Sequence, residues 1–452
     1  MYKKYAPLVF LGVTACNTPP IEQNLPSIPK TWSANNQKNL QFTDPSKLKE
    51  WWKKFGDENL NWLIKQTLKD SPDIHQAAAR IDEARGLQKT AFGGLFPIIS
   101  GSANVNRGKQ LLLGPMTGDS YDASFDASYE LDLFGKNREA YSAAEREMLA
   151  TIHDSDWIKL SIIAEVTRTY LSMRAAEKQI DLAQHNLAIQ KDTLALVERQ
   201  FKAGSASEFD VKRTALQVHQ STARIADYNR QKEVYLLSLL TLTGLTAESI
   251  KAHLTDCKEI AGIDLKAIVD APASVIARRP DINAANLRFI EATSLRKSHL
   301  AAFFPTISIS SLFGLSQTVL VPSTSVWNIG GKTAVSLLDF GRIQGQINAA
   351  SAREVTAYEA WRKAILQGLQ DVETALINTA RYEEQRQALN FAKINAAKAV
   401  SLSQTRYRQG DNSLLDVLDA QRHLIETDQA LIDVESSYVI AIVALYKALG
   451  QY

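Results

Sequence analysis

Apolar and polar residues alternate strictly along the segment 121–133. Tyr, Ala, Phe and Leu occupy every odd position, and Asp, Ser and Glu occupy every even position. This period of two predicts a strand with one apolar and one acidic face. The pattern is longer than a typical strand of about five or six residues. It fits a strand that crosses an outer membrane between lipid and water. A half-buried strand of a soluble protein is the alternative interpretation.

Fainter alternation predicts three further strands, over 98–106, 306–317 and 327–339. Four strands per chain cannot close a transmembrane barrel, which needs about eight strands. An open sheet in lipid would leave backbone hydrogen-bonding groups without partners. We therefore expect several chains to pool their strands. Two copies would supply about eight strands and three copies about twelve, and the sequence pattern leaves that choice open.

Two long segments, 139–202 and 343–409, contain no proline and have a strongly helical composition. As continuous helices they would each extend roughly 95–100 Å. Helices of this length need neighbours, because an isolated helix buries nothing. The helix that follows the second segment has two apolar seams of seven-residue period, which predict packing on two flanks and a left-handed supercoil. The seams are Leu418, Ile425, Ile432, Val439 and Tyr446 and, one position earlier, Leu424, Leu431, Tyr438 and Leu445.

The chain repeats its own pattern at an interval of 206 to 208 residues. Pro72-Asp73 corresponds to Pro280-Asp281, and Phe134-Gly135 corresponds to Phe340-Gly341. The constant interval predicts an internal duplication in which each half reads helix, two strands, long helix, turn, helix. The expected divisions are a signal peptide at 1–15, a lipidated N-terminal segment and equatorial region at 16–65, a first repeat at 66–245, an equatorial linker at 246–272 and a second repeat at 273–450.

The first sixteen residues resemble a secretory leader. Lys3 and Lys4 precede an apolar stretch over 6–13, which is too short to span a bilayer as a helix but suits a signal sequence. The following Val-Thr-Ala-Cys resembles a bacterial lipobox, so we expect cleavage before Cys16 and attachment of lipid to its thiol. Asn17 at the next position favours the outer membrane. An ordinary signal sequence with a chance cysteine is the alternative.

Composition and charge exclude several classes of function. The formal net charge is +2, and a near-neutral chain gives no electrostatic case for binding nucleic acid. The seven histidines are scattered without metal-ligand spacing, and the chain has no Gly-rich phosphate loop or nucleophile elbow. We therefore expect no catalytic site, no cofactor and no metal.

Apart from Cys16 the chain has one cysteine, Cys257, so no disulfide is expected. No other apolar run is long enough to predict a transmembrane helix.

Five segments together resemble one known family. They are 51–60, 129–135, 279–282, 301–305 and the hairpin around Gly410. In content and order they resemble the TolC-type outer-membrane factors, and specifically the outer-membrane lipoproteins that serve resistance–nodulation–division efflux pumps (OprM/NodT-like). The segments span almost the whole mature chain. The chain departs from the family pattern at Asn286, at Ser336 and at Asn412.

The resemblance implies the fold class and the partners. The expected fold is an α+β membrane protein: an internally duplicated long α-helical periplasmic barrel plus four transmembrane β-strands per chain. It implies that these strands close as a twelve-stranded β-barrel in a homotrimer, whose helical tunnel is closed at its far tip by the inner helices. The implied partners are a periplasmic adaptor (membrane fusion) protein, an inner-membrane resistance–nodulation–division transporter and outer-membrane lipid.

The C-terminal hairpin carries the candidate gate. Beyond the turn at Gly410, Leu415, Asp416, Asp419 and Arg422 share one neighbourhood of the helix. In a threefold assembly, rings of carboxylates would favour cations, and a leucine ring would form a dry constriction. The alternative is that Asp416 stabilises the helix start while Asp419 pairs with Arg422 on a solvated face. The family match over 416–420 favours the gate.

A second hairpin turn, at Gly204, mirrors the one at Gly410. Tyr407 occupies the position of a latch tyrosine in the family, but Asn412 stands where TolC has the latch arginine. We therefore expect Arg406 or Arg408 to complete the latch of the closed tip.

Together these patterns favour a passive exit duct of a tripartite efflux pump in the cell outer membrane. The second interpretation is a duct for type I protein secretion, but the lipobox and the Trp51-Trp52 region favour efflux. The third is a periplasmic coiled-coil scaffold without a pore. The alternation over 121–133 argues against a scaffold, because a scaffold has no need of a lipid-facing strand.

Overall fold

Two very long helices dominate the computed structural model. They contain 67 and 68 residues, which corresponds to roughly 100 Å each at the rise of an α-helix. Both helices run without interruption through the segments for which the sequence predicts them. The structure describes residues 25–32, 41–42, 50–110, 116–254, 268–269, 272–318 and 321–450.

Within these residues the helices and strands follow one another in an order that is nearly the same in the two halves. The helices are α1 (Glu58–Asp70), α2 (Pro72–Gly93), α3 (Lys136–Lys202), α4 (Glu208–Thr243), α5 (Ala247–His253), α6 (Pro272–Arg278), α7 (Pro280–Leu300), α8 (Arg342–Gln409) and α9 (Leu414–Ala448). The strands are β1 (Gln41–Phe42), β2 (Ile98–Gln110), β3 (Met116–Leu131), β4 (Ile268–Val269), β5 (Thr306–Gln317) and β6 (Thr324–Ala334). Short 3₁₀ helices span Trp51–Phe55 and Ala301–Phe303.

Four strands form one antiparallel sheet in the order β2-β3-β5-β6. Each half contributes one hairpin, and β3 pairs with β5 at the centre. The outer strands β2 and β6 each have one edge without a partner strand within the described residues. The two short strands β1 and β4 form a separate parallel pair.

The predicted ends of three strands were wrong, and the first strand, predicted to end at 106, continues to Gln110. The alternation placed strand residues up to 133 and 339, but β3 ends at Leu131 and β6 ends at Ala334. Asp132 instead accepts hydrogen bonds from the backbone N–H groups of Asn137 (3.1 Å) and Arg138 (2.8 Å) at the start of α3. Asp339 accepts from the N–H groups of Gly341 (3.1 Å) and Ile343 (2.8 Å) at the start of α8. Both aspartates therefore lie in the loop before a helix, and their carboxylates satisfy N–H groups at the start of that helix.

The main hydrophobic core lies about halfway along the long helices. Trp51 is fully buried and its ring stacks on Tyr446, with 5.2 Å between centroids. The same core contains Leu60 of α1, Ile163 of α3, Leu239 of α4 and Tyr446 of α9. The predicted seams of α9 are partly confirmed as buried positions, since Leu418, Leu431, Tyr438, Leu445 and Tyr446 are buried while Leu424, Ile425, Ile432 and Val439 are half-buried.

Helix α9 bears on the expectation that the chain has no transmembrane helix. Among the described residues it is the one helix that is long and apolar enough to cross a membrane by length and composition alone, although the sequence was expected to contain none. Its apolar residues form contacts with α8 and α3. A core helix packed on two flanks has the same composition as a membrane span, so this property is weak evidence for a membrane helix.

A buried arginine connects the second half of the chain to its end. Only 1% of Arg279 is exposed. Its guanidinium donates to Asp281 at 2.7 Å, to Asp371 on α8 at 2.9 Å and to the carbonyl of Ala448 at 3.1 Å. The same group lies 4.8 Å above the ring of Trp157 on α3. One side chain thus holds α3, α7, α8 and the end of α9 in one position.

We predict that Arg279→Met destabilises the protein strongly. The substitution keeps the apolar bulk but removes the donor from two partly exposed carboxylates and one carbonyl. Loss of one hydrogen bond to a charged group costs about 1.5–3 kcal/mol. The denaturation midpoint in detergent should fall clearly below that of the wild type. Arg353→Met on the exposed surface of α8 is the matched control and should change it little. Equal midpoints for the two variants would contradict the role given to Arg279.

Candidate channel gate and membrane face

The two hairpins end in the same local structure. Gly204 and Gly410 have positive φ angles of 77° and 82°, which glycine adopts without strain. Ser205 N–H donates to the carbonyl of Gln200, and Asp411 N–H donates to the carbonyl of Arg406, both at 2.9 Å. This pattern satisfies carbonyls that the helix end leaves free. The structure thus places both glycines between a long helix and the helix that returns from it.

The returning helices begin with the same cap. The hydroxyl of Ser207 accepts from the N–H of Asp210, and the hydroxyl of Ser413 accepts from the N–H of Asp416. The Asp416 carboxylate accepts from the hydroxyl of Ser413 at 2.8 Å and from its N–H at 3.0 Å. These hydrogen bonds hold the pKa of Asp416 below its ordinary value. Asp416 therefore stays ionised at a lower pH than an ordinary aspartate.

Asp419 lies in a small charged cluster on α9. Its carboxylate pairs with Arg422 at 2.6 Å, and His423 lies 3.4 Å from Asp419 and 3.4 Å from Glu426. In a single chain, the cap at Asp416 and the ion pair at Asp419 are both the contacts that the alternative interpretation predicted. His423 was missed as a member of this cluster, although its contacts at i−4 and i+3 follow from helical spacing.

All four candidate gate residues lie on one exposed side of α9. Leu415 is 48% exposed, and Asp419 and Arg422 follow it at four and seven residues, the spacing of one helix face. The opposite side carries Val417, Leu418 and Gln421, which are buried against α8 and α3. The gate side is therefore free to face a lumen.

The candidate latch residue links the two hairpins. The hydroxyl of Tyr407 on α8 donates to the side-chain oxygen of Gln200 on α3 at 2.8 Å. Both groups are uncharged. Arg406 and Arg408, which were expected to complete the latch, are exposed and form no ion pair within the described part of the chain. Gln200 was missed as a latch residue, since its contact joins positions 207 residues apart.

A cleft of about 230 Å³ lies beside this latch, between α3, α8 and α9. It is lined by Tyr407, Arg408 and Gln421 among others. The amide of Gln421 is buried, and neither of its polar atoms has a hydrogen-bond partner among the described residues. The cleft leaves the packing beside the latch incomplete, and incomplete packing favours local opening of the tip.

The sheet at the other end of the molecule is amphipathic. Facing residues from all four strands, Gly101, Phe125, Phe313 and Trp327, form one row on the apolar face. Phe125 is 67% exposed and Trp327 is 72% exposed. The opposite face is polar: Ser316 donates to Asp122 at 2.6 Å, and Ser124 donates to Asp126 at 3.0 Å. A soluble domain would not leave such an aromatic face uncovered.

Cys16, the expected lipid-attachment residue, and Cys257 fall outside the described residues. In the part of the chain that the structure describes, no group of three or more His, Cys, Asp or Glu side chains is arranged to hold a metal ion.

Known proteins match the chain over nearly its full length. The outer membrane efflux protein family matches residues 63–245 and 271–451. The pyoverdine export outer membrane protein OpmQ of Pseudomonas putida is 29% identical and covers 97% of this chain and 95% of its own. The cation efflux system protein CusC of Escherichia coli is 24% identical, with 98% and 97% covered.

Solved structures agree with this fold. The outer-membrane channel OprN superimposes with a TM-score of 0.88 at 25% identity, covering 97% of this chain and 99% of its own. The Campylobacter jejuni CmeC outer membrane channel has a TM-score of 0.82 at 24% identity, covering 89% and 87%. Members of this family are channels and not enzymes. The chain therefore belongs to the outer membrane efflux protein family, of TolC/OprM type, and functions as an outer-membrane efflux channel.

Proposed function

We propose that this channel is the exit duct of a tripartite efflux pump. It assembles as a homotrimer, docks to a periplasmic adaptor and receives its cargo from an inner-membrane resistance–nodulation–division transporter. The duct conducts passively, and the transporter supplies the energy. The division into leader, N-terminal segment, two duplicated repeats and equatorial linker belongs to the same proposal.

The observation that carries the proposal is the open amphipathic sheet. Its apolar face suits lipid and its polar face suits a wet lumen. The edges of β2 and β6 that have no partner strand among the described residues require one in a membrane. Because the strands alternate in direction from β2 to β6, β6 of one copy meets β2 of the next in antiparallel orientation. Each further copy can therefore be added in the same way.

The need for a duct favours three copies over two. A barrel of about eight strands has an interior that side chains fill, whereas wider barrels leave an aqueous channel. Three copies give about twelve strands and a free lumen. The long helices continue from the same hairpins and would extend this lumen into the periplasm.

The relatives suggest that the duct itself does not select the cargo class. Their names refer to pyoverdine export, solvent efflux and cation efflux. Since such different compounds leave through similar channels, we assign the choice of cargo to the inner-membrane transporter. Protein secretion remains the second candidate, and the names of these relatives favour efflux over it.

The proposed gate consists of three copies of the exposed side of α9, one from each chain. Leu415 would form a dry ring, and Asp416, Asp419 and Arg422 would surround it with charge. Among the four candidate gate residues, Asp419 and Arg422 balance each other, so Asp416 gives this group one net negative charge per chain. Three such charges around a narrow opening attract cations and repel anions.

The latch is an uncharged hydrogen bond. Tyr407 holds the α8–α9 hairpin to α3 through Gln200, next to the loosely packed cleft at Gln421. Movement of the hairpin away from α3 would break this bond and separate the three gate faces. Because neither partner is charged, salt should not open the latch.

Planar-bilayer recording of the purified protein tests the function directly. A wide duct closed at its tip should show low, cation-selective conductance. A protein that never conducts, even when the tip residues are changed, would leave only the scaffold interpretation.

The charge prediction concerns Asp416→Ala combined with Asp419→Ala. We expect weaker cation preference and weaker block by divalent cations, because the carboxylates set which ions enter. Asp210→Ala is the matched control, since Asp210 forms the same helix cap on the other hairpin. If the double variant keeps the selectivity and block of the wild type, the two carboxylates serve only the helix. Leu415→Ala should instead raise the conductance and leave selectivity in place, because it widens the dry ring.

The latch prediction concerns Tyr407→Phe. Loss of a neutral hydrogen bond of about 1 kcal/mol should shift the equilibrium from closed to open about five-fold for each chain. Open probability in single-channel recordings measures this shift. Tyr228→Phe, a half-buried tyrosine on α4, should leave it unchanged. If Tyr407→Phe has the open probability of the wild type, this hydrogen bond is not the latch.

The anchor prediction concerns Cys16. We expect the mature protein to begin at Cys16 and to carry acyl chains, so intact-mass analysis should show the added lipid. Cys16→Ser should remove the lipid while the barrel still inserts, because acylation adds to an already large apolar band. An unmodified N-terminal cysteine, or cleavage at another residue, would refute the prediction.

A further inference from the structure

A cleft of about 570 Å³ lies where the sheet joins the helices. It opens between the first turn of α3 and the last turn of α7. The last facing pair on the apolar side of the sheet, Leu131 and Ile307, leads toward it. The cleft is distinct from the gate and latch, which lie at the other end of α3.

The side of the cleft nearest the sheet is aromatic. The rings of Phe134 and Phe304 stack with 4.6 Å between centroids and an angle of 12°. They are 46% and 50% exposed, so the stack presents a flat apolar surface to its surroundings. Aromatic side chains collect at the boundary between lipid and water in membrane proteins.

The side nearest the helices carries both signs of charge. The ammonium of Lys297 lies 3.9 Å from the carboxylate of Glu139 and remains 54% exposed. Arg138 pairs with Asp132 at 3.3 Å and is 67% exposed. At 3.9 Å, Lys297 and Glu139 are too far apart for a good direct hydrogen bond. Each is free to bind an oppositely charged group of one ligand.

The cleft and a second groove lie on different sides of α3. Helices α2, α3 and α7 enclose the second groove, in which Arg288 pairs with Glu147 and Asp154. Arg138 and Ser142 in the cleft project from the opposite side of α3 to Ala143 and Glu147 in the groove. The apolar face of the sheet, which would face lipid, ends at Leu131 and Ile307 beside the cleft, so we place the cleft on the outer side of the wall, away from the proposed lumen.

We propose that this cleft binds a phospholipid with an ethanolamine headgroup from the inner leaflet of the outer membrane. This inference rests on the proposed orientation, with the helices in the periplasm. Lys297 and Arg138 bind the phosphate, Glu139 binds the ammonium, and the acyl chains pass along Phe134 and Phe304 to the apolar face of the sheet. Bound lipid fixes the depth of the channel in the membrane.

Charge complementarity selects this lipid class. The headgroup carries one phosphate and one ammonium, which match the two signs present in the cleft. A glycerol headgroup has the phosphate but no ammonium, so Glu139 would repel it without compensation. Lipid A belongs to the outer leaflet and would not reach the periplasmic end of the sheet.

Native mass spectrometry of the delipidated channel tests the proposal. The probes are dioleoyl phosphatidylethanolamine and dioleoyl phosphatidylglycerol, added separately at equal concentration. The wild type should retain the ethanolamine lipid in preference, up to one per chain. Lys297→Gln should weaken its binding about ten-fold, as expected for loss of a hydrogen bond to a charged group, and Glu139→Gln should abolish the preference between the two lipids. Lys363→Gln, at an exposed site on α8, should change neither.

Three results would overturn the proposal: no lipid retained by the wild type, equal retention of both lipids, or an equal loss in Lys363→Gln. The same spectra count the chains in each particle. A trimer without lipid contradicts the cleft alone, whereas a lipid-bound particle that is not a trimer contradicts the proposed assembly.

Discussion

The rest of the molecule depends on one constraint: the backbone N–H and C=O groups along the outer edges of β2 and β6 need hydrogen-bond partners. Each of these strands has eleven or more residues and one edge without a partner in the described chain. In water such an edge is only a risk of aggregation, but in lipid every unpaired group costs several kcal/mol. A single chain therefore cannot be the membrane-spanning unit. The proposed closure by further copies turns four separate strands into a wall with no edge.

The sheet determines where the two long helices begin. Each hairpin of the sheet continues through a loop into one long helix. In these loops, the carboxylates of Asp132 and Asp339 accept hydrogen bonds from N–H groups at the starts of α3 and α8. The helices are then held firmly at mid-length, by the core around Trp51 and by the buried Arg279. At the tip, the hairpins are linked by the uncharged hydrogen bond between Tyr407 and Gln200. A rigid middle and a weakly held tip suit a duct that opens only at its end.

Sequence periodicity predicted the elements but not all of their ends. Strand β3 and the helices α3 and α8 could be predicted because their patterns extend over many residues. The ends of β3 and β6 could not, since Asp132 and Asp339 continue the polar positions of a strand while their side chains cap a helix. In α9, packing on two flanks produced a composition that also fits a membrane span.

The candidate site was predictable only where its chemistry is local. Asp416 and Asp419 lie beside a recognisable turn, and their cap and ion pair depend on helical spacing. Gln200 and the cleft beside Phe134 depend on contacts between distant segments, for which one sequence carries no signal. The lipid-binding Cys16 and the trimer remain proposals, because the first lies outside the described residues and the second requires other chains.

Cysteine cross-linking between sheet edges tests the closure most directly. In a Cys257→Ser background, one cysteine is placed on the polar face of β2 at Ser102, Ser100 or Asn104, and a second on β6 at Asn328. Strands β2 and β6 of one chain are three strand spacings apart, about 14 Å, which is too far for a disulfide. Every disulfide therefore joins two chains. We predict that one register cross-links efficiently in membranes and that the covalent products end at three chain masses. Products that end at two chains, extend beyond three, or form in no register would contradict the account.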